Sequence, residues 1–155
     1  ATNSKTQTIG ILATQGTLNS ELFNKTAEKY QDTKIIEQVG HGLVQLIESG
    51  HIDSPEMGQL LHSYLDPMIE ANIDYLVLGC SHYPYLIPQI KKILPEHIHI
   101  IDSGEAVAKQ TQNILKEKVG LSSIEKSESL FYTNSNPKVP SEILGNKYQV
   151  LEKDF

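Results

Sequence analysis

The feature that most constrains the fold is an apolar run, residues 75–78, that ends at Gly79 and leads directly into a cysteine. A run without a polar residue at its centre is typical of a β-strand that is buried on both faces. In a parallel sheet, helices cover both faces of such a strand. The rest of the chain is therefore expected to alternate strands with helices.

Strand and helix signals do alternate along the chain. The predicted strands are residues 8–13, 34–39, 74–79 and 97–101, with shorter ones at 130–133 and 148–151. The predicted helices are residues 18–30, 43–47, 55–69, 85–94 and 104–119, with a weaker one at 141–144. This alternation implies parallel pairing with right-handed crossovers. We therefore predict an α/β fold, a three-layer α/β/α sandwich with a mainly parallel sheet.

Residues at the helix starts and one apolar stripe support these assignments. Thr17 and Ser103 are predicted N-caps, and Ser54 is a cap followed by a proline at the first helical position. The helix after Ser54 carries apolar residues at helical spacing, which are expected to face a core: Met57, Leu60, Leu61, Tyr64, Leu65, Met68 and Ile69. After Gly120, the predicted end of a helix, the composition shifts to Ser, Glu and Lys through Ser129.

Composition and charge exclude several classes of function. The net charge is -6 and Lys and Arg form no cluster, whereas nucleic-acid binding needs a concentrated positive surface. The apolar stretches fall far short of the roughly 20 residues that cross a bilayer, and no basic segment followed by an apolar run opens the chain. Glycine-rich phosphate-binding fingerprints are absent. We expect a cytoplasmic protein that binds neither nucleic acid nor membrane.

Cys80 is the single cysteine, so it can form neither an internal disulfide nor a cysteine-based zinc site. It lies just past the buried strand and just before a helix, where the helix dipole and free amide groups favour a thiolate. A lone cysteine beside a strand is more often an inert small hydrophobe. An inert, buried cysteine needs no polar residues beside it. Gly79 before it and Ser81 and His82 after it therefore favour a reactive thiol.

Three of the six histidines bear on function, one as a candidate for catalysis and two as possible metal ligands. His82 is placed to assist proton movement or to position a substrate amino group, although a histidine in a turn is commonly only a solvated or capping residue. His97 and His99 are predicted to point to one strand face, without a cysteine or carboxylate ligand nearby. We therefore expect no metal site.

Polar residues also follow the first predicted strand. Thr14 and Thr17, with Gly16 between them, supply hydroxyls and backbone donors at a helix start, an arrangement that holds a carboxylate; simple N-capping is the alternative. In open α/β sheets ligands bind beyond the carboxyl ends of the strands, so this threonine loop and the Cys80 motif are expected to face one cleft. Glu48, on local evidence, is only a surface carboxylate at a helix end.

Several segments resemble those of one enzyme family in the expected order. Residues 76–86, LVLGCSHYPYL, resemble the second cysteine motif of bacterial glutamate racemases, LxLGCTHYPLL. Residues 9–17 (IGILATQGT) resemble the family's strand and threonine loop, and residues 43–50 (LVQLIESG) its LVPLxExG segment. Residues 100–106 (IIDSGEA) resemble the family's VDSGEAxA run, and the strand at 130–133 also matches the family. The resemblance therefore spans nearly the whole chain.

The resemblance implies a reaction and a role for each matching residue. The enzyme would interconvert L- and D-glutamate with two opposed cysteines, without pyridoxal phosphate or another cofactor, and so supply D-glutamate for peptidoglycan. Cys80 would be one of the two cysteines. The remaining matches would be His82 and Glu48 in support of that thiol, and Thr14, Thr17, Ser81 and His82 in binding glutamate. Ser81 stands where the family usually has threonine, which keeps the hydroxyl.

The resemblance also implies that part of the enzyme is missing from this sequence. The family's opening DSGxGG motif and the ACNT-like segment with its other cysteine have no counterpart here and would lie upstream of Ala1. Residues 1–102 would form the second lobe, with Cys80, and residues 103–155 the C-terminal remnant of an incomplete first lobe. We expect the chain to be inactive by itself. Its partner would be the missing N-terminal segment, although the exposed strand edge could also pair with another chain in a homodimer.

Two other functions stay open. The chain could be a non-catalytic ligand-binding domain that kept the scaffold. It could also be a hydrolase with Cys80 as nucleophile and His82 as base. The hydrolase is disfavoured because neighbouring loop positions seldom give that geometry, and because no third group that would orient the histidine is evident in the sequence.

Overall fold

A parallel four-stranded sheet lies at the centre of the computed structural model, which describes residues 1–120 and 129–155. The strands, in the order β2-β1-β3-β4, are β1 (Thr8–Ala13), β2 (Lys34–Val39), β3 (Tyr75–Gly79) and β4 (His99–Ile101). The chain moves from β1 to one side and then returns past it to β3. The strand order thus reverses between β1 and β3, which is where ligands of open α/β sheets bind.

Helices cover both faces of this sheet. They are α1 (Gln15–Leu18), α2 (Glu21–Ala27), α3 (Leu43–Glu48), α4 (Pro55–Glu70) and α5 (Ile87–Ile93). Alternate side chains of β1 face opposite sides, so that Leu12 joins the larger core with α3, α4 and α5, while Ile9 and Ile11 join a smaller core with α1 and α2. The predicted three-layer sandwich with a parallel sheet is confirmed.

The helix after Ser54 forms as predicted. The Ser54 hydroxyl accepts a hydrogen bond from the Met57 N–H at 3.1 Å, and a proline occupies the first turn. Four members of the apolar stripe are fully buried: Met57, Leu61, Leu65 and Met68. Since burying one such side chain contributes about 1.5–3 kcal/mol, α4 is a principal source of the stability of the larger core.

The first predicted helix, residues 18–30, is wrong in its start and its continuity. Thr17 lies inside α1 and is not the N-cap; that position belongs to Thr14, whose Oγ1 accepts a hydrogen bond from the Thr17 N–H at 3.3 Å. The helix is also interrupted at Ser20, whose hydroxyl accepts from the Phe23 N–H and so begins α2. A short 3-10 helix at Glu28–Tyr30 then completes the segment.

Three further predictions differ in detail. Ser103 precedes α6 (Gly104–Lys118) but makes no side-chain cap; the Asp102 carboxylate accepts the hydrogen bond from the Gly104 N–H instead, at 2.7 Å. β4 begins two residues later than predicted, because a turn closes from the Ile98 N–H to the Pro95 carbonyl. β3 is fully covered on one face only, since α1 and α2 on the other face are four and seven residues long.

The tail of the chain packs loosely against this sandwich. α6 has no buried residue, and β5 (Leu130–Thr133) pairs in parallel with β6 (Gln149–Glu152) in a separate two-stranded sheet. Between them lies α7 (Lys138–Ile143), whose Ile143 reaches the larger core. The Ser-, Glu- and Lys-rich stretch noted after Gly120 falls, in its residues 121–128, outside the described part. Within residues 1–120 and 129–155, no helix is long and apolar enough to cross a membrane.

Asp74 ties the N-terminal residues to the start of β3. Its buried carboxylate accepts hydrogen bonds from the Ser4 hydroxyl at 2.7 Å and from the backbone N–H groups of Lys5 and Thr6. Burial by itself would raise the pKa of Asp74, but these donors outweigh it and lower the pKa from 3.8 to about 2. The ionised carboxylate is therefore the form that holds the N-terminal segment in place.

This anchor predicts a loss of stability in acid. Because the folded pKa of about 2 lies below the unfolded value of 3.8, the stabilisation is present above pH 3.8 and is lost as the pH falls towards 2. We expect Asp74→Asn to lower the Tm at pH 6, and the difference from the parent to shrink between pH 4 and 2. Thermal unfolding followed by circular dichroism measures this, with Asp32→Asn at an exposed site as control. A Tm difference that is the same at every pH would contradict the assignment.

Candidate active site

The carboxyl ends of β1 and β3 lie side by side and bring two predicted segments together. Ala13 pairs with Gly79 in the last rung of the ladder. The next residues, Thr14 and Cys80, therefore leave neighbouring strands about 5 Å apart. The threonine loop and the cysteine motif thus meet at one edge of the sheet, at the reversal of strand order.

Gly79 permits this close approach. A Cβ at position 79 would lie 2.7 Å from the Cβ of Ala13 and 3.4 Å from Cγ2 of Thr17. Contacts below 3.0 Å are not tolerated between such atoms, so any larger residue would force the two strand ends apart. The threonine loop therefore packs directly on the residue before Cys80.

The two threonines form a hydroxyl pair. Their Oγ1 atoms are 3.0 Å apart, and both side chains are half-buried. Only one of the two hydroxyl hydrogens can lie between the oxygens, so the other is available to a ligand. Thr14 also caps α1, because its Oγ1 accepts a hydrogen bond from the Thr17 N–H. The pair has the chemistry to donate a hydrogen bond to a carboxylate while it caps α1.

Cys80 is half-buried and is not sealed in the core. Its Sγ lies 4.0 Å from Nδ1 of His82, and Nε2 of the same ring lies 3.1 Å from Oε1 of Glu48. The carboxylate favours the tautomer that carries hydrogen on Nε2, which leaves the Nδ1 lone pair towards the thiol. The imidazole can then take the thiol proton, and the resulting cation is held between thiolate and carboxylate.

Glu48 contacts the histidine although the two are 34 residues apart in the sequence. Local evidence alone gave it a surface role, and its side chain is indeed 64% exposed. An ion pair this exposed adds little to stability, so its main effect is to orient the His82 ring. Ser81 is exposed, and its Oγ lies 3.4 Å from Nδ1 of that ring, on the same side as the thiol.

Sequence reasoning missed Tyr83, which is fully buried beneath the cysteine turn. Its hydroxyl donates a hydrogen bond to the Gly40 carbonyl at 3.1 Å. Burial raises the pKa of Tyr83 to about 12, and the nearby Cys80 and Tyr64 add to the shift because they also become negative on ionisation. The only signal in the sequence was its place in the motif, since no periodic pattern marks it.

A cleft of about 510 Å³ opens beside the histidine and separates the sandwich from the tail. The sandwich contributes Glu48, His82 and Tyr85 to it, and the tail contributes the polar residues 133–136 together with apolar side chains of α7. The imidazole therefore has the thiol on one side and this cleft on the other. A solute in the cleft would reach the carboxylate without touching Cys80.

No cluster of three or more metal-ligating side chains occurs among the residues that the structure describes. His97 lies in the turn before β4, outside the strand, so the prediction that it shares a strand face with His99 is wrong. The ring of His99 instead packs against the ring of Tyr75, with 5.0 Å between centroids.

Proteins of known sequence are similar to this chain over most of its length. The glutamate racemase of Pseudomonas entomophila (strain L48) is 39% identical over 137 residues, which cover 88% of this chain and 52% of that protein. The glutamate racemase of Ralstonia pickettii (strain 12J) is 48% identical over 107 residues, 68% of this chain and 38% of that protein. The chain thus spans about half the length of the curated relatives that it matches.

Solved structures share the fold. A glutamate racemase isoform from Bacillus anthracis superposes with a TM-score of 0.78 at 28% identity, over 99% of this chain and 60% of the other. The glutamate racemase of Francisella tularensis, solved in complex with D-glutamate, gives 0.77 at 27% identity over 96% and 58%. Residues 1–111 also match the family described as Asp/Glu/Hydantoin racemase. Because that match includes both strand ends, the threonine loop and the cysteine turn, the chain belongs to the Asp/Glu/hydantoin racemase family.

Proposed function

We propose that this chain is part of a cofactor-independent glutamate racemase in which Cys80 exchanges the α-proton of glutamate. The observation that carries the proposal is a half-buried thiol, 4.0 Å from an imidazole, at the same sheet edge as a pair of threonine hydroxyls. The relatives named above are glutamate racemases, and D-glutamate is bound in one of the solved structures. Glutamate offers a weakly acidic Cα–H, which needs a positioned base such as the thiolate, and a carboxylate, which matches the hydroxyl pair.

The reaction follows from the chemistry of a thiol. In one direction the Cys80 thiolate takes the α-proton, so that the electron pair of the C–H bond stays on carbon and the proton bonds to sulfur. In the other direction the opposing group removes the α-proton of the other enantiomer, and the Cys80 thiol donates its proton to the opposite face of the carbanion-like centre, with the electron pair of the S–H bond left on sulfur. Hydrogen bonds from Thr14, Thr17 and Ser81 to the substrate carboxylate would hold Cα over the sulfur.

His82 and Glu48 would support the thiol. A protonated imidazole beside Sγ stabilises the thiolate, and the carboxylate, 3.1 Å from Nε2, keeps the ring in that orientation. By the family resemblance, His82 would also take part in binding glutamate. Inversion requires a second acid on the opposite face of Cα, and this chain has a single cysteine. We assign that second acid to an N-terminal segment that is not contained in this sequence.

The same reasoning extends to the domains and the partner. Residues 1–102 would be the second lobe of the racemase and residues 103–155 the C-terminal remnant of the first. Support comes from the exposed apolar side chains of the tail, among them Val107 at 60% and Tyr132 at 49% exposure. Exposed apolar side chains of this kind are typical of a surface that another segment or chain covers. The N-terminal segment is our proposed partner, and a homodimer the alternative. By the family resemblance, the enzyme would work in the cytoplasm and supply D-glutamate for peptidoglycan.

A first test concerns the proton transfer. The chain, fused behind the N-terminal half of the P. entomophila relative, is expected to exchange the α-proton of glutamate with solvent deuterium. Cys80→Ala is expected to slow that exchange by about 10²–10⁴-fold for at least one enantiomer, because a positioned acid/base group contributes this much. Proton NMR in D₂O measures the rate, with Ser63→Ala on the exposed face of α4 as control. Unchanged exchange in Cys80→Ala would refute the role.

A second test uses the single thiol of the chain itself. We expect Glu48→Gln and His82→Gln to slow alkylation of Cys80 by iodoacetamide several-fold at pH 7, and to raise the pH at which the rate is half-maximal. His82→Gln removes the imidazolium partner of the thiolate, and Glu48→Gln removes the carboxylate that orients the ring. The matched control is His62→Gln, which removes a histidine at 3.1 Å from another carboxylate, Asp66, on the exposed face of α4. Equal rates in all four proteins would show that the pair does not act on the thiol.

One observation favours a second candidate, a hydrolase with a nucleophilic thiol. Glu48 provides the oriented third group that the sequence did not reveal, so thiol, imidazole and carboxylate stand in the order of a nucleophile, its base and an orienting residue. A burst of one equivalent of nitrophenol per chain from p-nitrophenyl acetate, lost in Cys80→Ala, would favour the hydrolase. Glutamate binding without deuterium exchange would favour the non-catalytic domain.

A further inference from the structure

We propose that Tyr83 is a positioning residue for Cys80, whose hydroxyl fastens the cysteine turn to the end of β2 and so sets the thiol against the His82–Glu48 pair. The inference rests on the proposed role of Cys80 as an acid/base thiol. Tyr83 touches no substrate in this assignment. It acts through the backbone of the turn that carries the sulfur.

The turn is closed by its own backbone and is anchored in the sandwich by the buried side chain of Tyr83, in addition to the exposed contact of His82 with Glu48. The Tyr83 N–H donates to the Cys80 carbonyl at 3.3 Å, and the Tyr85 N–H donates to the His82 carbonyl at 3.2 Å. These bonds shape the turn but do not attach it to the rest of the sandwich. Among the contacts that attach it are the Tyr83 ring, which is fully buried, and the Tyr83 hydroxyl, which donates to the Gly40 carbonyl.

Gly40 is the point at which the other parts of the site meet. Its N–H donates to the carbonyl of Ala13, the last residue before the threonine loop, at 3.0 Å. Its carbonyl also accepts, at 3.4 Å, the N–H of Leu43, which begins the helix that carries Glu48. The Tyr83 hydroxyl therefore joins the cysteine turn to both the threonine loop and the carboxylate-bearing helix.

The space around Gly40 shows how closely this anchor fits. A Cβ at position 40 would overlap the Tyr83 hydroxyl and would lie 3.0 Å from Cζ of the same ring. It would also come within 2.7 Å of Cδ1 of Leu43, the end of a flexible side chain that can move aside. The rigid obstacle is thus the tyrosine, so the glycine and the hydroxyl form a matched pair.

The electrostatics keep the hydroxyl a donor. Burial holds the pKa of Tyr83 at about 12, and the facing titratable groups, Cys80 and Tyr64, shift it in the same direction. The phenol therefore stays protonated at neutral pH even when Cys80 is a thiolate. A phenylalanine would keep the buried ring and lose only the bond to Gly40, which makes Tyr83→Phe a test of position more than of folding.

The experiment is the pH profile of Cys80 alkylation in the 155-residue chain. We expect Tyr83→Phe to slow alkylation at pH 7 several-fold and to raise the half-maximal pH, because the sulfur is no longer held against the imidazole. Tyr30→Phe is the control, since this tyrosine is 39% exposed and lies in the 3-10 helix before β2, outside the site. A parent-like profile in Tyr83→Phe overturns the proposal.

Gly40→Ala disturbs the same contact from the Gly40 side, so it gives a second readout if Tyr83→Phe folds poorly, and the two substitutions together form a double-mutant cycle. Gly40→Ala is expected to slow alkylation strongly in the parent, because the new Cβ displaces the tyrosine, and less in the Tyr83→Phe background, where the hydroxyl is gone. The same fold-change in both backgrounds overturns the coupling.

Loss of α-proton exchange in Cys80→Ala with a parent-like Tyr83→Phe profile overturns the positioning alone. A shifted Tyr83→Phe profile with normal exchange in Cys80→Ala overturns the racemase function and leaves the anchor standing.

Discussion

The approach of β1 to β3 at their carboxyl ends is the contact on which the rest of the site depends. Ala13 and Gly79 face each other in the last rung of the ladder, and Ala13 and Thr17 fill the space that a side chain at position 79 would need. Both strands end at that rung, so the threonine loop and the cysteine turn leave the sheet side by side. The meeting of hydroxyls and thiol is thus a consequence of strand register.

Order around the thiol comes mainly from the backbone and the core beneath it. Gly40 bonds to the end of β1, to the start of α3 and to the buried Tyr83, and these bonds link segments that are far apart in the chain. The side chains of His82 and Glu48 are 35% and 64% exposed, and an ion pair this exposed contributes little to the free energy of folding. The scaffold therefore positions the pair, and the pair adjusts the thiol.

The sandwich and the tail differ in how much of their apolar surface they bury. The sandwich closes two cores around its sheet, whereas α6 has no buried residue and the tail sheet has only two strands, which is marginal for independent stability. Among the described residues of the tail, Ile143 of α7 is the one that packs against the larger core. This contrast agrees with a chain that spans about half the length of its curated relatives.

Local pattern in the sequence determined the bounds of β1 and β2, the capped start of α4, the α/β class and the candidacy of the cysteine, because each depends on neighbours within a few residues. It failed at the threonine loop, where two hydroxyls three residues apart are equivalent caps by preference and only the backbone geometry selects Thr14. The contact of Glu48 with His82, over 34 residues, and the bond of Tyr83 to Gly40, over 43, were decided by the tertiary structure. Such pairs carry no local signal, because it is the packing of helices on the sheet that brings their atoms together.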